Sequence, residues 1–110
     1  MSDPHRMTLR PPWEAAPLPD GRTRHRRRFG RPRTLSEGET VWLVGEGMPA
    51  VVEVWLNGER LGEGEVSFAF EVTAKLLPRN EVWIDATGEI GPVEVEVRTQ
   101  CTPQLPRAVV

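Results

Sequence analysis

The stretch Val54-Trp55-Leu56-Asn57-Gly58-Glu59-Arg60-Leu61-Gly62 decides the fold of this chain. Its Asn-Gly pair lies between two β-prone runs, and both positions tolerate the positive φ angles that a tight hairpin turn requires. The run before the pair, residues 51–56, is rich in Val, and residues 59–61 return from the turn. The segment therefore predicts an antiparallel β-hairpin in the middle of the chain, with Gly62 ending its second strand.

Short β-prone runs recur on both sides of this hairpin, separated by Gly, Pro or Asn residues. They occupy residues 22–28, 41–44, 66–72, 81–86 and 93–97. The only helical signal is one turn over Ala74–Leu77, with Thr73 as its cap and Pro78 as its end. Short strands at regular spacing, without an amphipathic helix, predict an all-β antiparallel sandwich.

The chain of 110 residues has room for one domain. Five prolines in residues 1–20 predict an irregular N-terminal arm, in which only Met7–Arg10 could form a short edge strand. We assign the sandwich to residues 21–99 and a tail to residues 100–110. A membrane span, a signal-peptide-like run and a second cysteine are all missing from the sequence, so we expect a cytoplasmic protein without membrane contact.

The hairpin and the segments after it resemble a known family. The "VWLNG…LG" hairpin is followed by Phe68-Ala69-Phe70-Glu71-Val72-Thr73, then by Leu76-Leu77-Pro78 and Asn80-Glu81-Val82. This pattern is similar to that of the N-terminal sugar-binding-like domain of the β-galactosidase and β-glucuronidase glycoside hydrolases, and it covers roughly residues 26–98. The resemblance implies a galactose-binding-like jelly roll.

The same resemblance implies that this chain is not an enzyme. In those hydrolases catalysis belongs to a separate barrel domain, for which 110 residues leave no room. The chain is also shorter than the usual family domain, so a loop or an edge strand is expected to be trimmed. The resemblance therefore does not establish for this chain the sugar contacts made by the family's loops.

Three tryptophans form the first candidate ligand site: Trp42, Trp55 and Trp83. They lie out of phase with the apolar face of their strands, where Trp55 alternates with Glu53 and Trp83 with Asp85. If these strands are neighbours, the three indoles form a flat outer platform on which a pyranose ring can stack, while the carboxylates accept hydroxyl hydrogen bonds. The alternative is that the indoles fill a second hydrophobic layer, covered by the N-terminal arm or by a partner subunit.

A row of arginines forms the second candidate site. In an extended strand, one face would carry Arg22, Arg24, Arg26 and Arg28, with Arg31 and Arg33 beyond them. Such a row suits phosphates or an acidic partner. Residues 1–35 hold nine arginines and three acids, whereas residues 36–110 hold five basic and thirteen acidic residues. We therefore favour pairing with the acidic strands, around Glu53, Glu81, Glu94 and Glu96, over nucleic-acid binding.

Patterns typical of catalysis, metal binding and cofactor binding are missing from the sequence. The glutamates alternate with core residues, which predicts ordinary acidity and not the raised pKa of a glycosidase acid. His5, His25 and Cys101 have no partners at metal-ligand spacing. No phosphate-binding loop or dinucleotide fingerprint is present. We thus predict no catalytic residues, no metal and no cofactor.

Three functions stay open at this point. The first is a non-catalytic binding or accessory module for a glycan or a protein partner, with its ligand surface at the tryptophans. The second is a structural or oligomerising protein, in which the tryptophan face packs against another copy. The third, least favoured, is an anion or nucleic-acid binder that uses the arginine row.

Overall fold

The computed structural model describes residues 6–32 and 35–99, and within them it forms two antiparallel β-sheets packed face to face. The strands are β1 (Arg6–Thr8), β2 (Glu14–Pro17), β3 (Thr23–Gly30), β4 (Glu39–Gly45), β5 (Val51–Leu56), β6 (Glu59–Glu65), β7 (Phe68–Glu71), β8 (Arg79–Ala86) and β9 (Val93–Thr99).

The strand order is β1-β9-β4-β7 in the four-stranded sheet and β2-β3-β8-β5-β6 in the five-stranded sheet. The chain changes sheets between β1 and β2, between β3 and β4, between β4 and β5, and at each step from β6 to β9. Strands that are distant in sequence therefore become neighbours, as β3 and β8 do. The prediction of an all-β jelly-roll sandwich is confirmed.

The core lies between the sheets because apolar residues occupy alternate positions along the central strands. Val52, Val54 and Leu56 of β5 are buried, and so are Val82 and Ile84 of the neighbouring β8. The opposite sheet contributes buried side chains from β4, β7 and β9, namely Val41, Leu43, Phe68, Val93 and Val95. The intervening side chains of each strand point outward, so the outer face of each sheet carries charged side chains together with tryptophans.

The predicted central hairpin is present, with its turn at Asn57 (φ 53°) and Gly58 (φ 85°). Its second strand is longer than predicted, because β6 continues through Gly62 and Gly64. A Cβ atom at Gly64 would lie 2.6 Å from the Cβ of Phe68, so this glycine allows β7 to approach β6 closely. The predicted strand over residues 66–72 is correspondingly shorter, since Val66 has a φ of 66° and lies in the turn between β6 and β7.

The N-terminal arm, which we expected to be irregular, contains two short β-strands. Within residues 6–20, β1 is an edge strand of one sheet and β2 is an edge strand of the other, so the arm joins both sheets. Between the two strands, Leu9 is buried and the Trp13 indole donates a hydrogen bond to its carbonyl oxygen. The prolines do not prevent strand formation here, because an edge strand has one unpaired side. A proline, which has no backbone N–H to donate to a neighbouring strand, is therefore tolerated in it.

The helical turn predicted over Ala74–Leu77 is a short 3₁₀ turn at Thr73–Lys75. Thr73 does not cap it; its hydroxyl accepts a hydrogen bond from the backbone N–H of Val41 and so joins the turn to β4. Within residues 6–32 and 35–99, no helix has the length and apolar character needed to cross a bilayer. The predicted tail, residues 100–110, lies outside the described residues.

Candidate functional site

The outer face of the five-stranded sheet brings two of the predicted tryptophans together. Strands β5 and β8 are paired in a register that places Trp55 opposite Trp83. Their ring centroids lie 6.1 Å apart with planes tilted by 44°. Both indoles are half-buried, and the Nε1 of Trp55 is buried without a hydrogen-bond partner. The two rings therefore form a compact aromatic pair and not a flat surface.

An arginine lies across this aromatic pair and was not anticipated there. The guanidinium carbon of Arg24 is 4.3 Å from the ring centroid of Trp83 and 5.6 Å from that of Trp55. Arg24 also makes two hydrogen bonds to the carboxylate of Asp85, 2.8 and 2.9 Å long. Asp85 is only 2% exposed, and its hydrogen bonds raise the pKa of Arg24. The result is a planar, permanently charged group held in one orientation on the indoles.

Two glutamates complete the rim of this face. Glu53 accepts hydrogen bonds from Arg60 and Arg22, which hold the pKa of its carboxyl below the usual value. Glu81 accepts a 2.6 Å hydrogen bond from the Trp83 indole and a longer one from Arg28, and the indole bond is the main reason that its pKa is also lowered. Both carboxylates are therefore charged at neutral pH and fixed beside the aromatic pair.

We define the Trp55–Trp83 face as Trp55, Trp83, Arg24, Asp85, Glu53 and Glu81. Of the predicted ligand residues, it contains Trp55, Trp83, Glu53 and Asp85. Trp42 is absent from it, because β4 belongs to the other sheet. The expected three-indole platform is therefore not formed. Trp42 lies on the opposite outer face, where its indole donates to the Thr40 hydroxyl and Arg98 stacks on its ring at 4.5 Å.

The arginine row begins at Arg22, just before β3, and continues along one face of that strand, and its first four members each have a carboxylate partner. The pairs are Arg22–Glu53, Arg24–Asp85, Arg26–Glu14 and Arg28–Glu81. The expected pairing with Glu94 and Glu96 is wrong, because β9 lies in the other sheet and these glutamates contact Arg6. The row is thus largely neutralised within the fold and offers little unpaired charge to a polyanion.

The other residues singled out in the sequence form no second centre. His25 contacts the carbonyl oxygen of Gly88 at 3.0 Å through its Nε2. His5, Arg33 and Cys101 lie outside the described residues. In the part of the chain that the structure describes, no three His, Cys, Asp or Glu side chains are grouped closely enough to hold a metal ion.

The sequence did not indicate that Arg24 covers the indoles or that Asp85 is buried. The alternation of β3 placed Arg24 on the same face as three other arginines, and nothing local distinguished it from them. The difference comes from the pairing of β3 with β8, which sets Arg24 opposite Asp85. That pairing joins segments about sixty residues apart.

The fold is similar to one part of several solved glycoside hydrolases. An FMN-binding β-glucuronidase from F. prausnitzii L2-6 matches 72% of this chain with a TM-score of 0.62 and 16% identity. A β-glycosidase from Bacteroides vulgatus matches 74% with a TM-score of 0.58 and 25% identity. A putative β-galactosidase from Bacteroides fragilis matches 72% with a TM-score of 0.57 and 27% identity.

The chain spans only 13 to 16% of the length of these three enzymes. The resemblance to a small domain of β-glucuronidase and β-galactosidase enzymes is therefore confirmed. No protein-family model matches the chain, and no curated protein matches it by sequence.

Proposed function

We propose that this chain is a non-catalytic carbohydrate-binding module and that the Trp55–Trp83 face is its ligand surface. The observation that carries the proposal is the aromatic pair with Arg24 fixed across it by the buried Asp85. Sugar recognition combines stacking on aromatic rings with a few polar groups held in place, and this face offers both. A cytoplasmic location stays a prediction.

The acidity of the rim carboxylates supports a non-catalytic role. A glycosidase of the usual kind needs one carboxylic acid whose pKa is raised, so that it can protonate the leaving group. Here the hydrogen bonds from Arg60 and Trp83 lower the pKa of Glu53 and of Glu81. Both groups are suited to accept hydrogen bonds from hydroxyls and not to donate a proton at neutral pH.

The resemblance to glycosidase domains supports the choice of ligand class. The neighbouring structures are a β-glucuronidase, a β-galactosidase and a β-glycosidase, enzymes that act on sugars, and this chain corresponds to a small part of each. An accessory role beside a catalytic domain, or as a separate module, is consistent with that size.

The test is a titration of ¹⁵N-labelled protein with galactose, glucuronic acid and short β-linked oligosaccharides, read from the indole Nε1–H signals. We expect saturable shifts at Trp55 and Trp83 with at least one sugar class, and none at Trp42. Because Trp42 is also half-buried beneath an arginine, it is a matched internal control.

The Trp83→Ala and Trp42→Ala variants sharpen this test. The first should lower the apparent affinity about tenfold or more, which corresponds to roughly 1.4 kcal/mol, and the second should leave it unchanged. If no sugar shifts the Trp55 and Trp83 signals, or if both variants bind equally well, the carbohydrate proposal fails.

A protein contact on the same face is the second candidate, because Trp and Arg are the residues that most often dominate protein interfaces. The two half-buried indoles with Arg24 held across them are the observation that favours it. If the partner is another copy, sedimentation should show a concentration-dependent dimer that Trp83→Ala abolishes. A monomer at all concentrations would exclude self-association through this face.

A further inference from the structure

A concave surface lies at one end of the sandwich, and Glu81 is the one residue of the Trp55–Trp83 face that also lines it. It is a cleft of about 810 Å³ between β1, the end of β3 and the start of β8. Its apolar lining includes Met7, Leu9, Phe29 and Pro78. The volume falls within the range of small-molecule sites in proteins, roughly 300 to 1,000 Å³.

The cleft is basic, although the whole chain has a net charge of −2. Its charged lining residues are one carboxylate, Glu81, and three arginines, Arg27, Arg28 and Arg79. Arg28 makes only a 3.3 Å contact with Glu81 and has a side chain that is 86% exposed. The lining therefore carries a local excess of positive charge.

The arginines of the cleft differ from those of the neighbouring row in how they are paired. Arg27 faces the space between the sheets, opposite the core residue Val82, and its guanidinium donates to the backbone carbonyl oxygens of Arg10 and Arg28. Such bonds hold the group in place without neutralising it. Arg79, at the start of β8, has no ion pair with any described carboxylate. By contrast, Arg22 and Arg24 each have a carboxylate within 3 Å.

One wall of the cleft is rigid, because its amides are hydrogen-bonded to one another. Asn80, which is 2% exposed, accepts from the Leu77 N–H and from the Asn57 amide and donates to the Leu77 carbonyl oxygen. Asn57 in turn accepts from the backbone N–H of Glu81. A preorganised wall reduces the entropy that is lost when a ligand binds.

We propose that this cleft binds a small oxyanion, a phosphate monoester or a carboxylate, that carries an apolar group. The guanidiniums of Arg28 and Arg79 contact the anion, since planar guanidiniums bind phosphate and carboxylate oxygens in pairs of hydrogen bonds. The apolar group lies against Met7, Leu9 and Phe29. Apart from Glu81, this site shares no residue with the proposed sugar surface, and it does not depend on the sugar proposal.

The test uses the labelled chain with phenyl phosphate, benzoate and the neutral analogue phenol. The indole of Trp13 reports on the cleft, because it is hydrogen-bonded to the lining residue Leu9. We expect saturable shifts at the Trp13 indole and at the Asn57 and Asn80 amides with an anion, and at least tenfold weaker effects with phenol. Phenyl phosphate binding more tightly than benzoate would identify a phosphate site, and the reverse order would identify a carboxylate site.

Arg79→Gln and Arg28→Gln should each lower the affinity about three- to tenfold, and Arg60→Gln should not. Arg60 is an exposed arginine on β6, the edge strand of the five-stranded sheet, and it does not line the cleft. Arg60→Gln therefore removes the same charge as the other two variants, but outside the cleft. Equal weakening by all three variants would show general charge attraction, and equal binding of phenol would show an apolar cleft without anion recognition. Either result overturns the proposal, as does the absence of shifts at Trp13. The Trp83 indole is hydrogen-bonded to Glu81, which lines the cleft, so its signal responds to ligands at both sites. Trp13 and Trp55 distinguish the two sites, so the two proposals fail independently.

Discussion

Trp83 and Trp42 lie on opposite outer faces of the sandwich, and each has an arginine from a neighbouring strand stacked on its ring. Each arginine is also paired with a carboxylate, Arg24 with Asp85 and Arg98 with Glu96. The burial of the two arrangements differs. The Asp85 side chain is 2% exposed and that of Arg24 is 26% exposed, whereas the values for Glu96 and Arg98 are 14% and 42%.

The difference arises from what surrounds each pair. On the five-stranded sheet, Trp55 and Trp83 flank the ion pair, so the carboxylate is removed from water. On the four-stranded sheet, Trp42 has no second indole beside it, and its charged neighbours Arg98 and Glu96 are more exposed than Arg24 and Asp85. The same local arrangement therefore gives a rigid polar group on one face and an ordinary surface ion pair on the other.

The largest difference between the two faces should appear when the carboxylates are removed. We expect Asp85→Ala to lower the free energy of unfolding by about 2–3 kcal/mol, because it leaves Arg24 partly buried without its partner. Glu96→Ala should cost less, about 1 kcal/mol, because its partners Arg6 and Arg98 are half-exposed and stay hydrated without it. Urea unfolding at pH 7 measures both. Equal costs would mean that the burial of Asp85 has no energetic consequence.

A smaller difference should appear in the stacking of arginine on tryptophan. Double-mutant cycles with Arg→Met and Trp→Leu changes should give a coupling of about 1 kcal/mol between Arg24 and Trp83. The coupling between Arg98 and Trp42 should be about half of that, since the guanidinium is more exposed. A larger coupling energy between Arg98 and Trp42 than between Arg24 and Trp83 would contradict this expected difference between the two faces.

The smallest expected difference concerns pH. The Trp83 indole lowers the pKa of Glu81, so this hydrogen bond stabilises the fold above the unfolded-state pKa, and the contribution disappears as pH falls through the folded-state pKa. Trp83→Phe should therefore be destabilising by about 0.5 kcal/mol more at pH 7 than at pH 3. The Trp42 indole donates to the Thr40 hydroxyl, which does not titrate in this range.

The control for this pH effect is Trp42→Phe, whose cost should be the same at both pH values. Urea midpoints of the two variants and the unmodified chain, at pH 7 and pH 3, make the comparison. If Trp83→Phe lowers the free energy of unfolding equally at both pH values, the hydrogen bond from Trp83 to Glu81 makes no pH-dependent contribution to stability.

Much of the fold could be predicted because its signals are local. The Asn57-Gly58 turn needs two residues that accept positive φ, and the alternation of β5 and β8 needs only one buried face. Of the two edge strands in the proline-rich arm, β1 overlaps the short strand expected at Met7–Arg10, and β2 was missed, since it has no buried side chain of its own. The passage of β6 through Gly62 and Gly64 was missed too, because glycine is required there by Phe70 and Phe68 of another strand.

The sequence by itself determined the strands, the central hairpin and which side chains of each strand point away from the core, because φ preferences and period-two alternation act within a few residues. Only the tertiary structure decided which outward side chains meet. The pairing of β8 with both β3 and β5 joins Arg24, Asp85, Trp55 and Trp83, and the assignment of β4 to the other sheet separates Trp42 from them. Strand order depends on packing the whole core at once, and no local pattern records it.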